Sequence, residues 1–261
     1  MSTLVNYSTE AGVATIELCN PPANAYSYDM FRALDDAILQ ARFDDDVHVI
    51  VLRGSGEKFF CAGADISMLD GVTPAFKYNF CLHANETLLR LENTNKLVIA
   101  AIGGHCVGGG LEVAMAADLR VAKAGAGKVG LPEVKLGVLP GTGGTQRLAR
   151  LVGKSKAIEM MIDSAMLSVE DAAEAGLINK VFPAEEFWAS VTEFAQSFCP
   201  PGKASKAVGF IKRAVQSGTD LSLEAGLALE RELQQQLFQS DDAKEGIGAF
   251  VQKRAAVFTG K

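Results

Sequence analysis

Histidine and cysteine are scarce in this 261-residue chain, and neither forms a cluster. No two of the three histidines lie at metal-ligand spacing, and the five cysteines contain no CxxC pair. This spacing predicts neither a disulfide framework nor a metal site. The chain also lacks an apolar run long enough to cross a membrane, and its start, MSTLVNYSTE, has no secretory-signal pattern. We therefore expect a cytoplasmic protein without membrane contact.

Basic residues are also fewer than acidic residues in this chain. There are 25 Lys and Arg residues against 31 Asp and Glu residues, a net charge of −6. An acidic surface repels phosphate backbones, so nucleic acid is not an expected partner. Hydrophobic residues make up 48% of the chain and charged residues 21%. These values are typical of a globular protein and allow one large domain or a main domain with a smaller appendage.

Strand-like and helix-like segments alternate in the first half of the chain. Short β-branched runs predict strands, and apolar residues at helical spacing predict the helices between them. This alternation favours an α/β fold. The predicted strands are Val13–Cys19, Val47–Arg53, Leu97–Ile102 and Asp118–Ala122, and the predicted helices are Ser27–Arg42, Pro74–Glu92 and Leu111–Ala117.

The second half has a helical pattern instead. Pro200-Pro201-Gly202 is its clearest interruption. We therefore place a boundary there and divide the chain into residues 1–199 and residues 200–261. The predicted helices are Ser155–Asp163, Ser168–Ala175, Glu185–Phe198, Lys203–Ser217, Asp220–Phe238 and Asp241–Phe258.

Three familiar motifs have a simpler interpretation here. Residues 125–130 match GxGxxG, but Pro132 follows where a dinucleotide-binding helix would have to continue, so a turn is expected. Gly153-Lys154-Ser155 lacks the upstream glycine of a phosphate-binding loop. Cys106 and His105 are sequence neighbours that would not face each other in a regular element, so a packing role for Cys106 is expected.

The segment Gly108–Glu112 (GGGLE) is more informative. Successive glycines leave backbone amides open to a ligand, and the start of a helix favours negative charge. Glu112 in that first turn is either a functional acid or an ordinary helix-start residue. Phe60–Ile66 (FCAGADI) is a second source of bare amides, in which Asp65 is expected to cap the following turn.

A second acid, Glu133, follows Pro132 among glycine and apolar residues. Partial burial there would raise its carboxyl pKa. Two carboxylates near a pair of amides suit water addition, or proton transfer, next to a carbonyl group.

These motifs, in this order, resemble the enoyl-CoA hydratase/isomerase (crotonase) family over about residues 4–258. The resemblance implies a spiral of ββα turns followed by a helical C-terminal region that builds homotrimers, commonly paired into homohexamers. Residues 1–199 would then be the spiral core with the CoA-ester site, and residues 200–261 the oligomerisation region. The matching segments are NPPANA at 20–25, FCAGADI at 60–66, GGGLE at 108–112, PE at 132–133, PGTGGTQRL at 140–148, GLINKV at 176–181 and KEGIGAFVQKR at 244–254.

The resemblance also implies roles for individual residues. Ala64 and Gly109 match the residues whose amides form an oxyanion hole, and Glu112 and Glu133 match the acidic pair of the hydratases. The family positions that bind CoA correspond to Ala23, Ala62, Asp65 and Ile66, with Phe250 and Lys253 in a tail that often reaches a neighbouring subunit's CoA. Ser67 and Ser164 depart from the family pattern, where many members have lysine and glycine.

Retention of both acids predicts an enoyl-CoA hydratase of fatty acid metabolism that adds water to a 2-enoyl-CoA and gives a 3-hydroxyacyl-CoA. No cofactor is expected, because coenzyme A enters as part of the substrate. Three alternatives stay open: an enoyl-CoA delta-isomerase, a hydratase of a cyclic dienoyl-CoA, and a CoA-ester binder without catalysis.

Overall fold

The computed structural model describes residues 3–261. It contains two β-sheets surrounded by helices. The strands are β1 (Val5–Glu10), β2 (Val13–Leu18), β3 (Val49–Gly54), β4 (Phe59–Cys61), β5 (Leu97–Ile102), β6 (His105–Val107), β7 (Leu119–Lys123), β8 (Lys128–Gly130), β9 (Leu167–Ser168) and β10 (Lys180–Phe182).

Several of the helices begin at residues suited to that position. Ser27 caps α1 by accepting the amide of Met30, and Thr73 caps α3 just before Pro74. A 3₁₀ helix covers Glu133–Leu136. The α-helices are α1 (Tyr28–Phe43), α2 (Ile66–Asp70), α3 (Pro74–Glu92), α4 (Gly109–Met115), α5 (Gly144–Val152), α6 (Lys154–Ile162), α7 (Val169–Glu174), α8 (Phe187–Gln196), α9 (Ser205–Gly218), α10 (Leu223–Phe238) and α11 (Asp241–Gln252).

The larger sheet has the order β1-β2-β3-β5-β7-β10 and is parallel except for β1. Its central strands are covered on both faces, which explains their continuous apolar sequences. Ile50 and Leu52 belong to one buried cluster with α1 and α3, whereas Val49 and Val51 belong to another with α8. The sheet therefore separates two cores.

The smaller sheet has the order β4-β6-β8-β9. Its first three strands are parallel and come shortly after β3, β5 and β7 of the larger sheet. Tight packing makes glycine necessary between them, since a Cβ on Gly104 would lie 2.4 Å from the carbonyl of Lys58. Two strands and a helix thus recur along the chain, which confirms the expected spiral of ββα turns and the α/β class.

Most predicted elements agree with the structure to within a few residues. The helix predicted over Asp241–Phe258 is wrong at its end, because α11 stops at Gln252 and Lys253 adopts a left-handed conformation with φ of 54°. Residues 125–127 form a turn and Lys128–Gly130 a strand, so the dinucleotide motif opens no helix. Ser164, where the family often has glycine, adopts a positive φ of 51°.

The C-terminal helices pack directly on the core. A Cβ on Gly209 of α9 would lie 1.9 Å from the carbonyl oxygen of Asn95, and Lys212 Nζ lies 2.9 Å from an Asp118 carboxylate oxygen. The division at residue 199/200 stays a prediction. Over residues 3–261, no helix is both long enough and apolar enough to span a bilayer.

Candidate active site

Three strands of the smaller sheet end at one edge and each is followed by a segment of the site. Ala62–Ala64 follow β4, Gly108–Glu112 follow β6, and Pro132-Glu133 follow β8. Because these strands are parallel neighbours, their carboxyl ends meet at the same edge. The segments border a cavity of about 500 Å³. Its lining is Tyr26, Ala62, Gly63, Ala64, Ile66, Leu69, Val72, Thr73, Pro74, Lys77, Val107, Gly108, Gly109, Glu112, Pro132, Glu133, Lys135, Leu136, Val138, Leu139, Gly141 and Thr142.

Two backbone amides without a hydrogen-bond partner among residues 3–261 lie at this cavity. The backbone of Tyr26 bonds to the Gly63 carbonyl and the Asp65 amide, on either side of Ala64, so the Ala64 N–H points the other way. Within residues 3–261, neither the Ala64 N–H nor the Gly109 N–H donates a hydrogen bond. A Cβ on Gly63 would lie 3.0 Å from the Gly109 nitrogen. The two amide segments are therefore in contact and could share one oxyanion.

Glu112 lies in the first turn of α4 and is only 2% exposed. Its Oε1 accepts the backbone amides of Thr142 at 2.8 Å and of Gly144 at 2.7 Å, and its Oε2 accepts the Thr142 hydroxyl at 2.5 Å. Burial raises the Glu112 pKa, and these hydrogen bonds oppose that rise because they stabilise the ionised form. The carboxylate is thus held firmly by donors.

Glu133 begins the 3₁₀ helix and lies beside Gly108, where a Cβ would approach its Oε1 to 2.9 Å. Its Oε2 is buried and has no hydrogen-bond partner within residues 3–261. Burial raises the pKa of Glu133 to about 7, and the nearby Glu112 carboxylate adds to the rise. The predicted pKa rise from partial burial is present, and a group with this pKa can give or take a proton at neutral pH.

Comparisons with known proteins identify the family of this chain. The family model for enoyl-CoA hydratase/isomerase matches residues 8–261. The chain belongs to this family. Among its relatives, a short-chain-enoyl-CoA hydratase of Clostridium acetobutylicum is 37% identical over 94% of this chain and 93% of that protein. A crotonyl-CoA hydratase of Syntrophomonas wolfei is 35% identical over 97% of this chain and 96% of that protein.

Solved structures of the family share the fold. A crystal structure of an enoyl-CoA hydratase from Bacillus anthracis has a TM-score of 0.93 at 31% identity and covers 99% of this chain and 100% of that chain. One from Geobacillus kaustophilus has a TM-score of 0.97 at 43% identity and covers 100% of this chain and 98% of that chain. The predicted family, the crotonase-like fold with its helical C-terminal region, and the enzyme class are confirmed.

The structure brings together six of the residues to which the enoyl-CoA hydratase/isomerase pattern assigned roles. Ala62, Ala64, Ile66, Gly109, Glu112 and Glu133 all line the cavity. Ala23 and Asp65 do not line it. The carbonyl of Ala23 accepts the amide of Ala62 at 3.0 Å, which attaches the Ala23 loop to this edge.

Asp65 caps α2, as the sequence predicted. Its Oδ1 accepts the Ser67 amide at 2.9 Å and the Ser67 hydroxyl at 2.6 Å. Phe250 and Lys253 lie at the end of α11, outside the cavity lining, and Phe250 is 85% exposed. Their proposed contact with CoA stays a prediction, since it requires a neighbouring subunit.

Two residues of this family member's site were given no role from the sequence. Tyr26 is buried and its hydroxyl lies 3.0 Å from the Thr142 hydroxyl. Thr142 belongs to the PGTGG segment, which the sequence identified only as a family motif. Behind them, Arg147 donates to the Thr142 carbonyl at 3.0 Å and forms a two-pronged pair with Glu92 at 2.6 and 2.8 Å.

Residues 3–261 contain no group of three or more His, Cys, Asp or Glu side chains arranged to hold a metal ion. Cys106 is fully buried in β6. Burial raises its thiol pKa well above the ordinary value, which suits the expected packing role.

Proposed function

We propose that this chain adds water across the double bond of a 2-enoyl-CoA thioester and releases a 3-hydroxyacyl-CoA, with Glu112 and Glu133 as the catalytic pair. This proposal rests on one observation. Two carboxyl groups with different hydrogen-bond surroundings lie in one cavity beside two backbone amides that have no partner among residues 3–261. An acyl-CoA substrate follows from membership of the family. The reaction needs no cofactor beyond the coenzyme A carried by the substrate.

The first part of the proposed mechanism is activation of the thioester. Its carbonyl oxygen accepts the N–H groups of Ala64 and Gly109. As water attacks carbon 3, charge builds on that oxygen, and fixed donors stabilise it more strongly than they stabilise the uncharged carbonyl.

The second part is proton transfer. Glu112 is ionised, accepts a hydrogen bond from the attacking water and takes its proton as the oxygen bonds to carbon 3. Glu133 is protonated and gives its proton to carbon 2, which restores the thioester carbonyl. One proton leaves Glu133 and one arrives at Glu112, so a proton passes between the two acids before the next turnover.

The experiment is incubation of the purified chain with crotonyl-CoA, following the loss of the conjugated thioester absorbance and identifying the product. We expect 3-hydroxybutyryl-CoA from the chain and almost none from its Glu133→Gln variant. Absence of hydration, together with conversion of a 3-enoyl-CoA to a 2-enoyl-CoA, would replace the hydratase with the delta-isomerase. Conversion of only a cyclic dienoyl-CoA would redefine the substrate, and CoA-ester binding without turnover would indicate a binder.

We also propose that the chain assembles into a homotrimer or homohexamer through its C-terminal helices. Contiguous exposed apolar surface marks interaction sites in soluble proteins, and this region exposes Ile211, Val215, Leu223, Phe238, Phe250 and Val251. In such an assembly, Phe250 and Lys253 would reach a neighbouring subunit's CoA. Light scattering should give three or six times the 27.6 kDa of one chain, and the mass of a monomer would refute the assembly.

The remaining parts of this proposal concern the cell. We place the enzyme in the cytoplasm and in fatty acid metabolism, where β-oxidation forms 2-enoyl-CoA esters. Nucleic acid and membranes are not among the proposed partners, in keeping with the net charge of −6. Fractionation of cells, followed by immunodetection of the chain, tests the compartment.

A further inference from the structure

The hydroxyl groups of Tyr26 and Thr142 form a hydrogen-bonded chain that ends at Glu112. The Tyr26 hydroxyl lies 3.0 Å from Thr142 Oγ1, and Thr142 Oγ1 lies 2.5 Å from Glu112 Oε2. Tyr26 and Thr142 are both buried. A Cβ on Gly109 would lie 1.8 Å from the Tyr26 hydroxyl oxygen, so this hydroxyl also lies directly against the amide segment that faces the thioester.

Chemistry sets the direction of these hydrogen bonds. An ionised carboxylate only accepts, so the Thr142 hydroxyl donates its one proton to Glu112. The Thr142 oxygen then accepts from Tyr26. Burial raises the pKa of the Tyr26 phenol well above its ordinary value, and therefore the phenol keeps the proton that it donates.

The two ends of the Glu112 carboxylate are used differently. Oε1 accepts the two backbone amides of Thr142 and Gly144, which valine or serine at position 142 would also provide. Oε2 accepts only the Thr142 hydroxyl among the described residues, so it can accept one further donor, and Glu112 lines the cavity. The hydroxyl chain therefore acts on the carboxylate oxygen that can still accept a hydrogen bond from water.

We propose that Tyr26 and Thr142 are positioning residues that keep Glu112 ionised and aim its Oε2 at the attacking water, while Glu133 carries the proton. This inference rests on the proposed hydratase function. It assigns part of the difference between the two acids to a pair of hydroxyl groups, since Glu133 Oε2 has no such donor among residues 3–261. Loss of the Thr142 hydroxyl would favour protonation of Glu112 and reduce the difference between the two acids.

Other ionisable groups lie around Glu112, and none of them is substituted in the variants tested below. Arg147 of α5 lowers the Glu112 pKa by its charge and is itself paired with Glu92 of α3. Glu133 faces Glu112 from the 3₁₀ helix, and Lys77 of α3 acts on Glu133. From β4, the neutral Cys61 thiol, whose pKa burial raises to about 12, lies near Tyr26.

The test compares the pH dependence of kcat/KM for crotonyl-CoA hydration in Thr142→Val, Thr142→Ser and Tyr26→Phe. Thr142→Val should shift the acidic limb of the kcat/KM profile to higher pH by about 1–2 pH units, because a hydrogen bond to a charged group is lost. Tyr26→Phe should move it in the same direction by less, and Thr142→Ser should restore it. Tyr28→Phe, a half-exposed tyrosine outside the cavity lining, is the matched control and should leave the profile unchanged.

A second measurement is independent of turnover. Infrared difference spectra between the chain and its Glu112→Gln variant, recorded against pH with isotope-labelled glutamate, report protonation of Glu112 without substrate. The midpoint should rise in Thr142→Val by the same amount as the kinetic limb. An unchanged midpoint would overturn the inference, even if the rate falls uniformly, because that fall would reflect a structural role. If the chain hydrates no 2-enoyl-CoA, the proposed function fails while the infrared midpoint still decides the inference.

Discussion

The two carboxyl groups of the cavity are close in space but have opposite surroundings. Glu112 accepts three hydrogen bonds and is almost fully buried at the start of a helix. Glu133 is only partly buried, yet its Oε2 has no partner among residues 3–261 and its pKa is raised to about 7. Burial raises the pKa of both groups, and the difference teaches that hydrogen-bond donors oppose this rise at Glu112, whereas Glu133 Oε2 lacks such donors among these residues.

The largest expected effect comes from removing each acid in turn. Glu133→Gln should lower the rates of both hydration and 3-enoyl isomerisation by about 10²- to 10⁴-fold. Glu112→Gln should lower hydration by a similar factor but spare isomerisation, since moving a double bond needs one proton carrier. Parallel assays on crotonyl-CoA and a 3-enoyl-CoA measure this difference between the variants. Equal losses of rate for both variants on both substrates would show that the two acids do not have different roles.

The next largest effect is expected from adding a side chain at Gly109, one of the two residues with an oxyanion amide. Gly109→Ala would place a Cβ 1.8 Å from the Tyr26 hydroxyl, so the oxyanion amide must shift. We expect a fall in kcat of about 10²- to 10³-fold, comparable to losing one oxyanion donor. Gly218→Ala is the matched control, since its Cβ would meet no atom within 4 Å and its φ is not positive. A near-normal kcat in Gly109→Ala would argue against the amide's role.

The pH dependence of activity gives a smaller effect. Glu133 must be protonated to supply carbon 2, and its pKa is about 7. The value of kcat/KM should therefore fall about tenfold per pH unit above that point. Stopped-flow assays in a constant-ionic-strength buffer series measure the limb, and a flat profile up to pH 9 would contradict the assignment of Glu133 as the acid.

The smallest expected effect is on stability. The folded pKa of Glu133 lies above its unfolded value, so its contribution is fully present below about pH 4.3 and is lost as pH rises through about 7. Glu133→Gln avoids this loss, so its free energy of unfolding at pH 8 should be higher than that of the parent chain by about 1–2 kcal/mol. This amount allows for the partial exposure of the side chain. The free energies of unfolding of the two chains, measured in urea, should agree below about pH 4.

Much of the site was predictable because the motifs that build it are local. FCAGADI, GGGLE and PE each lie at or just after a strand end and contain its amide or acid, so Ala64, Gly109, Glu112 and Glu133 could be named from the sequence by family resemblance. Asp65 was also predictable as a helix cap, since capping involves residues only two positions apart.

Other features could not be read in this way. The strands β4, β6, β8 and β9 have two or three residues, too few to show alternation. The end of α11 depends on the left-handed conformation of Lys253, a residue with no special preference for it. The contact between Tyr26 and Thr142 joins positions 116 residues apart and has no local pattern.

The sequence by itself determined most of the helices, the longer parallel strands, the family and the identities of the two acids, because these depend on local periodicity and short motifs. Only the tertiary structure decided how the two acids differ. A carboxyl pKa depends on burial and on donors brought from distant segments. Thr142 and Gly144 donate to Glu112, and Tyr26 lies beside Thr142, whereas Glu133 Oε2 has no partner among residues 3–261.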